Sequence, residues 1–234
     1  SDIYLSTIMW YNTFILMDIK KNGGKKMEKI YGDLVQFTEF MPSVDFSLHQ
    51  YLLMGDEAIL IQTGTLNYSK ELIPKLKEVL DGKNLKYIYV SHFESDECGG
   101  LSEILKAYPD SKVICSETTS RQLMGFGITF NVVVKNGGEF IEENGYKLRF
   151  LKYPSEMHLW DGLLMYEENR NVLFSSDLFF EFGKIHGEVR CGNWEEELKN
   201  SGAFQISQEL VAEISKLSPK FIATGHGQCI EIKY

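Results

Sequence analysis

The chain has 234 residues, 44% of them apolar, and a formal net charge of −9. That is enough chain to bury a substantial core without disulfide or metal staples, and its composition excludes an intrinsically disordered polymer. The acidic balance excludes a nucleic-acid-binding surface, because no Lys/Arg cluster goes beyond Lys20–Lys21 and Lys25–Lys26.

Thr7 to Met17 is apolar but too short for a bilayer, which takes about 20 residues. Asp2 precedes this run and lysines follow it, the reverse of a signal peptide's charge order. Residues 1–26 are therefore expected to be an N-terminal extension, and residues 27–234 one compact domain starting at Met27, with no membrane span. Strands are expected at Leu34–Phe40 and Gln50–Met54, then, after the turn Gly55–Asp56, a buried strand at Ala58–Ile61. A helix follows from Ser69 to Leu80, with Leu72, Ile73, Leu76 and Val79 at helical spacing, Gly82 as its stop and Pro74 as an oddity inside it.

Lys86–Ser91 reads as a strand that runs straight into His92, and Leu101–Ala107 as a short helix. Lys112–Cys115, Val132–Val134 and Glu139–Ile141 are expected strands, with a helical turn at Ser120–Gly125. Asn144–Gly145 marks a hairpin into Tyr146–Leu151, and Leu163–Tyr166 with Asn171–Ser175 form another. A helix over Gln205–Leu217 and a last strand, Lys220–Ala223, lead to Gly225–His226. Such strand-rich halves with few helices suggest two sheets packed face to face with helices outside, an α/β (α+β) architecture. Cys98, Cys115, Cys191 and Cys229 lie far apart without a CxxC pair, which points to free thiols in a reducing, cytoplasmic setting.

The chemistry concentrates in Ser91–Gly100, SHFESDECGG. His92, Glu94 and Asp96 alternate directly after a strand, and in an extended chain alternate residues share a direction. Glu97 adds a fourth polar group, and Gly99–Gly100 permit a tight turn. Three further candidates stand out: His158 follows a strand within the apolar and aromatic segment EMHLWDG, Asp177 closes the run VLFSSD and His226 closes FIATGH. A carboxylate or imidazole at the end of a buried strand needs a partner, and a metal supplies one. Three histidines with several carboxylates, and no required cysteine, suit a harder ion than structural zinc. Six or seven ligands exceed one ion's needs and fit two ions sharing a bridging carboxylate.

The order HxExD, His158, SSD at Asp177 and GH at His226 resembles the metallo-β-lactamase-fold domain of flavodiiron proteins, with MHLWDG, VLFSSDLF and TGHG as the specific stretches. The resemblance runs from about Glu28 to the C-terminus and implies a metallo-β-lactamase-like αββα sandwich of two mixed sheets flanked by helices. It implies two iron ions. His92, Glu94 and His158 would hold the first, Asp96 and His226 the second, and Asp177 would bridge them with a solvent- or oxygen-derived bridge. Trp160 and Phe179–Phe180 would wall the site. Hydrolytic zinc relatives carry His where this chain has Glu94, which disfavours a binuclear hydrolase.

Two departures stand out. The family pattern has His where this chain has Glu97, which either ligates the second iron or turns away in favour of water. The family also carries a C-terminal flavodoxin domain, whereas this chain ends at Tyr234, so no flavin is expected in it. The first reading is accordingly an O₂-binding diiron protein that forms an iron–peroxo type species. It would act as an oxygen sensor coupled to a signalling partner, of the kind linked to bacterial chemotaxis. The alternative is an O₂ or NO reductase fed by a separate flavodoxin- or rubredoxin-type electron-transfer protein. A homodimer is compatible with both.

Overall fold

The computed structural model describes residues 29–153, 162–200 and 207–233. Its first seven strands form one sheet in sequential order: β1 (Lys29–Tyr31), β2 (Leu34–Met41), β3 (Phe46–Leu53), β4 (Ala58–Ile61), β5 (Leu85–Tyr89), β6 (Lys112–Cys115) and β7 (Asn131–Val134). Pairing is antiparallel from β1 to β4 and parallel from β4 to β7. The second sheet contains β8 (Phe140–Glu143), β9 (Tyr146–Tyr153), β10 (Gly162–Glu167), β11 (Val172–Phe174), β12 (Val189–Gly192), β13 (Phe221–Ala223) and β14 (Cys229–Ile232). Its spatial order is β12-β14-β13-β11-β10-β9-β8, again mixed.

Helices α1 (Ser69–Leu80), α2 (Ser95–Cys98), α3 (Leu101–Ala107) and α4 (Glu117–Gly125) follow strands of the first sheet; α5 (Trp194–Asn200) and α6 (Gln208–Leu217) belong to the second. Three apolar layers result. Tyr51, Leu53, Tyr89, Phe150, Leu163 and Met165 fill the space between the sheets. Leu72, Leu76, Leu101 and Ile104 pack helices on the first sheet, and Trp194, Leu210 and Ile214 pack helices on the second. β10 is buried at every position because its two faces serve two layers: Leu163 and Met165 point inward, Leu164 and Tyr166 outward. Each such side chain contributes about 1.5–3 kcal/mol on burial. The sandwich is the αββα architecture expected from the sequence.

The differences from the sequence reading have local causes. β3 starts at Phe46 rather than Gln50, because Ser47, His49 and Gln50 interrupt the apolar pattern yet are buried. α4 begins at Glu117, three residues before the expected turn, with Ser116 Oγ accepting from Thr119 N at 3.1 Å as its cap. Pro74 sits within the unbroken α1 on its exposed face. β1, β12, β14 and α5 have no local signature, being three to seven residues long. The segments assigned to the N-terminal extension, to Trp160 and to the start of the last helix lie outside the described residues.

The sheets are stitched together at one end. Gly225 N donates to Ser176 O at 2.8 Å, and His49 N of β3 donates to Gly225 O at 2.8 Å. A Cβ at Gly225 would stand 2.7 Å from Ser176 O, a backbone atom with no room to retreat. Gly225→Ala is therefore expected to cost about 1–3 kcal/mol, read as a lowered urea midpoint. An unchanged midpoint would contradict the close approach.

Candidate metal centre

The same end of the sandwich collects the polar side chains. His92 follows the C-terminal end of β5, Asp177 follows β11 and His226 follows β13, while β3 begins there with Phe46 and Ser47. The expectation of an extended loop carrying His92, Glu94 and Asp96 holds only to Glu94, whose backbone is extended at φ −134°, ψ 163°. Ser95–Cys98 is instead a helical turn, so Asp96 and Glu97, adjacent in sequence, both reach the centre.

A second loop fixes this turn. Thr63 donates to Glu97 O through N at 2.8 Å and through Oγ1 at 3.0 Å, and Gly100 N donates to Gly64 O at 2.9 Å. Glu39 secures that loop in turn, accepting from Thr65 N and Oγ1 at 3.1 and 2.7 Å. Cys98 faces the helical layer, where its thiol donates to Glu94 O at 3.0 Å. Burial pushes its pKa up to about 12, so it packs as a neutral thiol.

Six of the seven candidate ligands converge. His92 Nε2 lies 3.4 Å from Asp177 Oδ2, 3.7 Å from Glu97 Oε2 and 3.9 Å from Glu94 Oε2. His226 Nε2 lies 3.4 Å from Asp177 Oδ1, 3.5 Å from Asp96 Oδ2 and 3.9 Å from Glu97 Oε1. Two groups compact enough for an ion emerge, His92–Glu97–Asp177 and Asp96–Glu97–His226. The seventh, His158, lies outside the described residues; the chain rejoins the sheet at Gly162, where a Cβ would stand 3.8 Å from His92 Cβ.

Hydrogen bonds on the far side of each imidazole aim its Nε2 at the centre. His226 Nδ1 faces Ser47 O at 3.1 Å, and a carbonyl only accepts, so the proton sits on Nδ1 and the Nε2 lone pair points inward. His92 Nδ1 meets Ser91 Oγ at 3.0 Å and Ser176 Oγ at 3.3 Å. Gln62 Nε2 donates to Ser91 Oγ at 2.6 Å. With His92 Nδ1–H donating to that same oxygen, the Ser91 proton goes to Ser176 Oγ at 2.8 Å, and that of Ser176 to Asp177 Oδ1 at 3.4 Å. One directional chain thus orients a ligand on each side. Gln62 and Ser176 hold left-handed backbone, φ 62° and 50°, a conformation that costs on the order of 1 kcal/mol for each.

The sequence offered SSD before Asp177 and Ser91 before His92, but nothing local says that the two serines meet. Gln62, Ser47 and Phe46 carried no signal either. Phe46 stacks on the His226 ring at 4.2 Å, and Phe180 meets it edge-on at 5.8 Å. Of the expected aromatic wall, Phe180 is in place, whereas Phe179, at φ 69°, turns into the helical layer of the second sheet.

The donor set fits metal ions. Asp177 and Glu97 are 4% and 2% exposed, and Glu97 Oε2 has no hydrogen-bond partner among the described residues. Burial, reinforced by Asp96, Asp177 and Glu94, holds the Glu97 carboxyl well above its ordinary 4.5. Burial pulls His92 down, but Glu94, Asp177 and Asp96 outweigh it and raise its pKa above 6.5. Carboxylates and imidazoles in this ratio suit first-row divalent ions, whose charge would replace those protons.

A family model described as ODP family beta lactamase matches residues 46–227. The anaerobic nitric oxide reductase flavorubredoxin of Citrobacter koseri is 29% identical over 181 residues, covering 76% of this chain and 36% of that protein. A flavorubredoxin homolog from Escherichia coli O157:H7 is 28% identical over 183 residues, 76% of this chain and 42% of that one. The chain thus spans well under half the length of these curated relatives. A variant of the flavo di-iron protein from Thermotoga maritima superposes with a TM-score of 0.71 at 24% identity, over 87% of this chain and 57% of that one. The rubredoxin oxygen:oxidoreductase of Desulfovibrio gigas gives 0.73 at 18%, over 88% and 57%. At these identities the structural likenesses establish the fold.

In chelated protein, folded Glu97 keeps a proton that the unfolded chain loses above 4.5, and folded His92 keeps one lost above 6.5. Both contributions make stability fall as pH rises, by about 1.4 kcal/mol per pH unit for each proton within its window. Chelated protein should therefore melt lower near about pH 8 than near about pH 5, and added Zn²⁺ should reverse the order because metal binding displaces protons. Equal melting temperatures at both pH values, with and without metal, would refute this electrostatic description.

Proposed function

This chain belongs to the ODP family beta lactamases, and we propose that it is a non-haem diiron protein that takes up O₂ and serves as an oxygen sensor in bacterial signalling. The observation that carries the reading is the pair of facing subsites, each with an imidazole Nε2 and its own carboxylate, joined by Asp177. His92, Glu94 and His158 would hold one iron and Asp96 and His226 the other, with Asp177 between them. Iron held by these residues would supply the redox chemistry for taking up a diatomic ligand.

The residues around the ligands do the rest. Ser47 and the Gln62–Ser91–Ser176 chain hold the imidazoles in the ligating tautomer. Phe46 and Phe180 cover the His226 ring and limit water on that side. Glu97, in place of an imidazole, makes the donor set more anionic and favours the oxidised state, which suits a long-lived oxygenated form better than rapid turnover. Cys98, Cys115 and Cys229 are buried cysteines, and we place the chain in a reducing, cytoplasmic setting. Among the described residues no helix is long and apolar enough to cross a membrane.

A second reading, an O₂ or NO reductase supplied by a separate electron-transfer protein, draws on relatives named nitric oxide reductase flavorubredoxin and rubredoxin oxygen:oxidoreductase. Iron content and the optical response of reduced protein to O₂ separate the two. A sensor should contain two irons per chain and develop a visible absorption band that persists and reverses on deoxygenation. Decay within milliseconds, with sustained O₂ or NO consumption once rubredoxin and its reductase are added, would replace the sensor with the reductase.

A further inference from the structure

Two carboxylates, rather than one, face both imidazoles. Asp177 presents Oδ2 to His92 Nε2 and Oδ1 to His226 Nε2, each at 3.4 Å. Glu97 repeats the pattern from the opposite sheet, with Oε2 3.7 Å from His92 Nε2 and Oε1 3.9 Å from His226 Nε2. Glu94 approaches His92 Nε2 at 3.9 Å, and Asp96 approaches His226 Nε2 at 3.5 Å. Glu97 is also the one residue common to the two compact ligand sets, His92–Glu97–Asp177 and Asp96–Glu97–His226.

We infer that Glu97 is a second bridging carboxylate, lying across both metal subsites beside Asp177. The inference rests on the two-metal reading above and adds a role that a histidine at this position could not fill, since an imidazole with one inward nitrogen binds one ion. Three observations support it. The side chain is 3% exposed, and its Oε2 has no hydrogen-bond partner among the described residues, a costly arrangement for a buried carboxyl oxygen unless a ligand meets it. Its backbone is pinned by the two Thr63 bonds, so the carboxylate cannot swing out with α2. Its two oxygens diverge toward different imidazoles, Oε2 to His92 and Oε1 to His226, whereas a terminal ligand needs to face only one subsite.

A bridge and a terminal ligand fail differently when removed. Loss of a bridge weakens both ions together and loosens their magnetic coupling; loss of a terminal ligand weakens one ion. The test uses metal alone: Zn²⁺ binding by calorimetry, and Co²⁺ loading followed by electron paramagnetic resonance. Wild type should bind two ions, with the two Co²⁺ coupled. Glu97→Gln, close in shape, should lower the affinity for both ions by on the order of tenfold or more and weaken the coupling. Asp96→Asn should mainly weaken one.

Glu97→Asp keeps the charge but shortens the reach, and it should behave like Glu97→Gln. It also stands in if the amide variant misfolds, as judged by circular dichroism. Glu97→Gln that binds both ions as wild type does, or loses only one with the other unchanged, overturns the bridge. Wild type that binds fewer than two ions overturns the two-metal reading instead.

Discussion

The structure turns on the gathering of Glu94, Asp96, Glu97 and Asp177 against two imidazoles at one end of a β-sandwich. Like charges at this spacing repel, and burial removes the water that would screen them. Only protons or metal cations relieve the arrangement. The raised pKa values of Glu97 and His92 express the first remedy, and the pairing of ligand atoms into two subsites expresses the second. The surrounding scaffold keeps these groups in place against their own repulsion.

It does so by drawing ligands from both sheets and tying their supports together. His92, Glu94, Asp96 and Glu97 follow β5 of the first sheet, whereas Asp177 and His226 follow β11 and β13 of the second. The Ser91–Ser176 bond crosses between them, and Gly225 bridges β3 to the Ser176 loop. Ser47 performs two tasks, its carbonyl accepting the hydrogen bond from His226 Nδ1–H and its hydroxyl donating to Gly183 O at 2.8 Å. His49, two residues on, bonds Gly227 O at 2.9 Å and Thr38 Oγ1 at 2.9 Å, and burial lowers its pKa to about 3, so it stays neutral beside the centre. The polar interruptions in β3 therefore belong to the site, and local departures from apolar alternation are where function is expected to show.

The chain belongs to the ODP family beta lactamases, and its fold agrees with that of the flavo di-iron protein of Thermotoga maritima. Glu97 is the most deeply buried carboxylate of the centre. A carboxylate there alters the charge of the centre, and its placement between both imidazoles gives it access to either subsite.

The sequence by itself determined a great deal. Alternating apolar strands and the amphipathic Ser69–Leu80 segment specify two sheets with outer helices, because period-2 and period-3.6 patterns are local properties. The HxExD spacing and the polar residues closing apolar runs nominated the ligands for the same reason. Five short elements escaped it, β1, β12, β14, α2 and α5: β12 pairs with β14 in parallel across some forty residues, a partnership that no local pattern encodes. Only the tertiary structure decided that Asp96 and Glu97 share a helical turn, that Gln62, Ser91 and Ser176 join two ligands in one directional chain, and that Phe46 covers His226 while Phe179 turns away. Those facts depend on which groups meet across two sheets, and such meetings are set by packing and hydrogen-bond satisfaction over the whole fold.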